Sequence, residues 1–213
     1  MKILSFDCAD KTFGYSMIED CPEMRSAIFK EIRDGKMNEN NLMEFRQNIR
    51  DTRRLISYGF KDLLRGKKIK DTTRAFRTRM LKEYLDTLST DGVDLVIIES
   101  QNMNRKSQVI ENKLEMYYDI HLPSVKRFVI DAGKKGKVYY PKVGSRESFI
   151  AKYSTSHDGN KEHATQNFLF LSELYGWNLP KMTKGKINHI ADACMQSIAY
   201  MKFLHTPEKI LEN

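Results

Sequence analysis

The sequence predicts an α/β domain: a five-stranded mixed sheet flanked by helices, with an inserted basic helical segment over residues 34–90. Three observations predict it. Strand-length apolar runs at 2–6, 13–18, 93–98 and 127–131 are separated by longer stretches whose apolar residues recur at helical spacing. Hydrophobic residues make up 40% of the 213, with aromatics at 10%, enough at this length to bury a sizeable core. No Pro-rich linker, internal repeat or low-complexity tract divides the chain, so one domain over 1–213 is preferred.

The elements follow in order. Residues 2–6 and 13–18 are short apolar runs parted by a polar turn at Asp10-Lys11, and 26–32 alternates weakly. These three read as strands of a meander. Residues 38–64 hold no Pro and one Gly, with Leu42, Phe45, Ile49 and Ile56 at helical spacing, and read as a helix that Asn41 would cap. A basic connector at 66–71 leads to a second helix at 72–88. After the Asp91-Gly92 turn, the β-branched run 93–98 fits a strand buried on both faces. Residues 107–121 read as a helix, 127–131 as the fifth strand, and 132–146, with three glycines and four lysines, as a mobile basic loop. Helices are predicted at 145–152, 162–174 and 187–204.

The formal charge is +8 and the pI about 9.3. Between Arg46 and Lys82 lie thirteen cations against three aspartates, a larger excess than that of the whole chain. Such density suits a polyanion such as nucleic acid, through counterion release, although a solvated helical face has the same composition. No apolar stretch approaches the ~18 residues of a membrane span. The lone Lys2, and Asp7 within the first apolar run, argue against a secretory signal. Three scattered cysteines offer neither a disulfide framework nor a zinc set, which points to a reducing, intracellular setting.

The acids carry the chemistry. Asp7 ends the run ILSFD and Glu99 ends DLVIIE. A buried, unpaired carboxylate costs several kcal/mol, so each needs a cation, a metal or a proton. Asp192 lies among small and apolar residues near the start of the last helix, and His189, three residues back, shares its face. Singly, each has an ordinary reading: a turn or cap for Asp7, an arginine partner for Glu99, helix surface for Asp192, packing for His189. Together they form a hard, oxygen-rich set suited to Mg²⁺, with Mn²⁺ as substitute. Paired carboxylates let two dications about 4 Å apart clamp a scissile phosphate.

On these residues the chain resembles the RuvC-type Holliday junction resolvases. ILSFDCADKTFGYSMI resembles their first motif, with Asp7, a six-residue connector and Gly14-Tyr15; VIIESQ, with Glu99 and Gln101, resembles the second; NHIADACMQSIAY resembles the last. Within that superfamily it is most similar to the poxvirus and large-DNA-virus enzymes, and residues 34–90 match only loosely. The resemblance implies a ribonuclease H-like fold and a homodimer cutting four-way DNA junctions symmetrically, in recombination or concatemer processing. It implies Asp7, Glu99, His189 and Asp192 as metal ligands and Lys161 as a basic residue near the scissile phosphate. His189 departs from the viral pattern, where Asp is usual, and matches some bacterial members. A viral relative would work at a cytoplasmic replication site.

Arg53, Arg54, Lys67 and Lys68, with Lys134, Lys135 and Lys137, are the expected DNA contacts, and the 107–121 helix is the expected dimer surface. Three other readings compete. One is another ribonuclease H-like nuclease acting on branched DNA or RNA. A second is a DNA-binding relative without catalysis. The third is an actin-like ATP-binding fold, which the glycine-free segment after Asp7 disfavours.

Overall fold

The computed structural model describes residues 1–203 other than 10, 37, 39, 102–104, 139 and 180. Asp10 of the predicted first turn and residue 204 of the predicted last helix therefore lie outside the described residues. Five strands form one sheet in the order β3-β2-β1-β4-β5: β1 (Lys2–Cys8), β2 (Thr12–Asp20), β3 (Arg53–Asp62), β4 (Leu95–Ser100) and β5 (Lys126–Asp131). β3, β2 and β1 are antiparallel neighbours, whereas β1, β4 and β5 run parallel. The sheet is thus mixed, as expected.

Two expectations are corrected. Residues 26–32 are not a strand but part of helix α1 (Pro22–Arg33). Pro22 at its first positions and Glu23 in its first turn start a helix, and a weak alternation over seven residues does not outweigh them. The predicted 38–64 helix is α2 (Leu42–Asp51) followed by β3, so the 34–90 segment is not wholly helical and supplies the third strand of the meander. A bulge leaves Ile56 unpaired, since Met17 faces Ser57 while Ile18 faces Leu55. That extra residue hides the strand's alternation. Gly59 marks the close approach: a Cβ there would stand 2.5 Å from the Tyr15 ring and from the Tyr84 hydroxyl.

The remaining helices are α3 (Arg74–Leu85), α4 (Arg105–His121), α5 (Ala132–Lys135), α6 (Arg146–Ile150), α7 (Ser156–Tyr175) and α8 (Lys184–Phe203). They cover both sheet faces. Ile3 and Ile18, with Leu95 and Ile97, pack against Phe168 and Leu171 of α7 and Ile190, Cys194 and Ile198 of α8. Leu4, Phe6, Val96 and Ile98 pack against Met80 and Leu81 of α3 and Leu114 and Tyr118 of α4. Strand alternation therefore decides which layer each side chain enters. Among the described residues no helix is long and apolar enough to cross a membrane.

α8 lies directly on β1 and β2. Ser5 Oγ donates to the Ala193 carbonyl at 2.5 Å, and Ser197 Oγ donates to Ser5 Oγ at 2.8 Å. Gly14 permits this approach, because a Cβ there would meet the His189 carbonyl oxygen at 2.6 Å.

Candidate active site

Asp7 follows Ile3 and Ser5 on the α8 face of β1, and Glu99 follows Leu95 and Ile97 on the same face of β4. Phe6 pairs with Ile98, so the parallel register sets the two acids side by side at the strand ends. Asp192, in the first half of α8, completes the group. Asp7, Glu99 and Asp192 are 7%, 5% and 3% exposed, so none is solvated as a surface carboxylate. They line a cleft of about 860 Å³ together with His189, Lys135 and Lys161. The four acidic and imidazole residues singled out in the sequence thus meet, and Lys161 stands on the same cleft wall.

His189 is held from both sides. Its Nδ1–H donates to Asp7 Oδ2 at 2.6 Å, and the Thr12 hydroxyl donates to Nε2 at 3.0 Å in the matching neutral tautomer. The Phe60 ring lies 5.4 Å from the imidazole, centroid to centroid.

Lys135, expected to contact DNA, instead lies among the acids with its side chain 14% exposed. Its Nζ donates to Glu99 Oε1 at 2.9 Å and stands 2.9 Å from Asp192 Oδ1. The predicted mobile loop here contains α5, whose first turn is capped by the Asp131 carboxylate accepting from Gly133 N. In a run of four lysines no sequence signal separates Lys135 from its neighbours. Only the fold does.

The acids titrate against one another. Burial raises the Asp7 carboxyl, but the His189 hydrogen bond, the Lys135 charge and a hydrogen bond from Glu99 outweigh it and hold Asp7 down at about 2. Burial pushes Glu99 up; although Lys135 opposes this, the Asp7 charge and the hydrogen bond to Asp7 add to it, and Glu99 reaches about 8. Asp192 is also raised, by burial first and against the opposing charge of Lys135. Without another cation, Asp7 is ionised and Glu99 holds a proton. Lys135 stays charged: burial would lower its pKa, but Asp192, Glu99 and Asp7 raise it further.

The other expected DNA contacts divide. Arg53 is a correction: it is 6% exposed, its Nε donates to Asp20 Oδ1 at 2.7 Å, and its guanidinium lies over the Tyr175 ring. Arg54 is exposed but pairs with Glu19. Both start β3, beside the far end of β2, so they lie at the sheet end opposite Asp7. Lys67 and Lys68 are exposed beyond the other end of β3, next to Ile69, which lines the cleft. Lys134 is half-buried and Lys137 exposed, on either side of Lys135. Lys11, Thr12, Gln101, Arg146 and His157 also line the cleft and are not among the expected site residues, although Lys11 and Thr12 lie in the first motif and Gln101 in the second.

Among the described residues no three His, Cys, Asp or Glu side chains already form a metal shell. The donor set nonetheless suits a hard divalent cation. Oxygens from three buried acids converge, an ammonium stands between two of them, and Asp192 Oδ1 has no partner in hydrogen-bond geometry.

This sheet, with its helices on both faces, is the ribonuclease H-like fold of the RuvC-type junction resolvases. The chain is similar to the fowlpox virus resolvase, solved with its substrate Holliday junction DNA, at 15% identity and a TM-score of 0.50 over 97% of this chain and 100% of that one. It is similar to Thermus thermophilus RuvC at 12% identity and a TM-score of 0.50, over 95% and 96%. No protein-family model matches the sequence, and no curated protein matches it. The likeness is one of fold, spanning nearly the whole chain.

Proposed function

We propose that the protein is a divalent-metal-dependent endodeoxyribonuclease that resolves four-way DNA junctions by paired symmetric nicks. The observation that carries this reading is the meeting of Asp7, Glu99, Asp192 and His189 in one open cleft with cations on its walls. Among the solved structures of similar fold are the fowlpox virus resolvase, which holds its substrate Holliday junction DNA, and Thermus thermophilus RuvC.

Asp7, Glu99 and Asp192 would hold Mg²⁺, with Mn²⁺ as substitute, and His189 would join them through Nε2 in exchange for the Thr12 hydroxyl. The bound ions would lower the pKa of the attacking water and stabilise the leaving 3′-oxygen. The chain's own groups do the rest. His189 fixes the Asp7 carboxylate by its Nδ1–H, and Thr12 fixes the imidazole. Lys161, on the cleft wall, would face the non-bridging oxygens of the scissile phosphate. Lys67, Lys68, Lys134 and Lys137 would hold flanking phosphates, which supply affinity while junction geometry supplies selectivity.

α4 supports a homodimer. Ile110, Leu114 and Tyr118 are buried on the sheet, whereas Met116 and Ile120 are 59% and 67% exposed. A two-fold contact there would set two clefts in matching orientation for two equivalent strands. The setting that goes with this reading is recombination or concatemer processing, at a cytoplasmic site of viral replication.

A synthetic four-way junction incubated with Mg²⁺, beside a linear duplex of the same sequence, tests the reading. Paired nicks in opposing strands of the junction are expected, with none from the Asp7→Asn variant. Equal cutting of the linear duplex would sink it.

A further inference from the structure

The connection between β2 and β3, residues 21–52, is far longer than antiparallel neighbours need, since a two-residue turn can join such a pair. It carries α1 and α2, and α2 packs against α7. Arg46 and Arg50, one helical turn apart on α2, meet Lys142 of the loop after α5 around a cleft of about 370 Å³. Ile49, Phe170 and Leu174 form its apolar wall, and Glu173 is its lone carboxylate. Neither arginine nor Lys142 pairs with any described residue through its side chain. Three like charges around one concavity, with a single carboxylate against them, leave a net positive site that attracts an anion.

This cleft shares no lining residue with the catalytic one. A shallower groove continues from it along α7, past Lys152 and Tyr153 to Glu162, beside Lys161. The thirteen helical steps from Lys161 to Leu174 span ~20 Å. That is about six steps of duplex at 3.4 Å each.

We propose that the α2–α7 cleft is a second phosphate-backbone site, which grips the DNA arm about six base pairs from the scissile phosphate. It rests on the DNA reading above and goes beyond it. Arg46, Arg50 and Lys142 would donate to phosphate oxygens, and Ile49, Phe170 and Leu174 would take the deoxyribose face. Glu173 opposes the anion and weakens the grip without reversing its sign.

The test is a charge-neutralisation cycle on the full chain in EDTA. Junction arms carry methylphosphonates at about the fifth to seventh phosphates from the cut. Wild type should bind the substituted junction about tenfold more weakly than the natural one. The Arg46→Gln/Arg50→Gln/Lys142→Gln variant should bind both alike. The slope of log K against log salt should fall by about 2 to 3 in that variant. Lys142→Gln alone, on a different element, should give a proportionate part of both effects. An unchanged slope, or an undiminished methylphosphonate penalty in the triple variant, would overturn the inference. A wild-type chain that cuts no junction would instead sink the resolvase reading, and the salt slope on plain duplex would still report on the cleft.

Discussion

The ammonium of Lys135 stands 2.9 Å from Asp192 Oδ1, yet that oxygen has no partner in hydrogen-bond geometry. The lysine occupies the position between acids that a bound cation would compete for.

Replacing Lys135 with Met should therefore leave the buried Asp7 and Asp192 without that counter-charge. In EDTA the variant should lose roughly 3–5 kcal/mol, the usual cost of orphaning a buried charge. Mg²⁺ should restore much of that loss, so its thermal shift should exceed that of the wild type. Equal melting temperatures of variant and wild type in EDTA would contradict this role.

Glu99 sets a pH dependence. Its carboxyl moves from 4.5 to about 8 on folding, so the folded chain binds the extra proton within that window. Its contribution to stability is complete below pH 4.5 and is lost as pH rises through about 8. Asp7 acts in the opposite sense: moved from 3.8 to about 2, it adds stability above 3.8 that is lost as pH falls through about 2. Unfolding free energies from urea titrations without divalent ions should fall between pH 5 and 8, by up to ~1.4 kcal/mol per pH unit. Glu99→Gln should flatten the fall, and an unaltered profile in that variant would count against the assignment.

Gly14→Ala places a methyl group 2.6 Å from the His189 carbonyl oxygen. The start of α8 must then shift, carrying His189 and Asp192 with it. Overpacking of this kind costs about 1–3 kcal/mol. Cleavage should fall by at least about a hundredfold, because a 1 Å misplacement is that costly, while junction binding changes little. Retained cleavage would show that the helix tolerates the displacement.

Arg53 and Arg54 adjoin in sequence but should differ in effect. Arg53→Ala breaks a buried pair with Asp20, which keeps Arg25 as a partner, and should cost about 1.5–3 kcal/mol in denaturant unfolding. Arg54→Ala removes an exposed pair with Glu19 and should leave stability nearly unaltered. Neither should alter junction affinity once folding is matched. A binding defect in folded Arg54→Ala would return that residue to the DNA surface.

Asp7, Glu99 and Asp192 were legible because a carboxylate beside a buried apolar run is costly and stands out in one dimension. His189 was legible through its spacing from Asp192. Lys135 was not, because adjacent lysines look alike until the fold brings acids to one of them. β3 was hidden by the bulge at Ile56 and by Arg53, Arg54 and Lys61, which suggest a solvated helix; Tyr58-Gly59-Phe60 was its clearest signature. α1 was lost where a weak alternation outweighed Pro22 and Glu23. The sheet's other four strands showed themselves because their residues are buried on one or both faces. The expected dimer helix carries apolar residues on both sides, and periodicity alone does not tell core from contact.

The parallel pairing of β1 with β4 has one more consequence. Backbone bonds, not side chains, fix the interval between Asp7 and Glu99, at the ~4.8 Å that separates neighbouring strands. That spacing is close to the gap between two clamped dications. A slip of one strand by a single residue would swing its acid through to the opposite layer. The interval between the two acids is therefore as rigid as the sheet itself, and substitutions in the surrounding helices leave it unscaled.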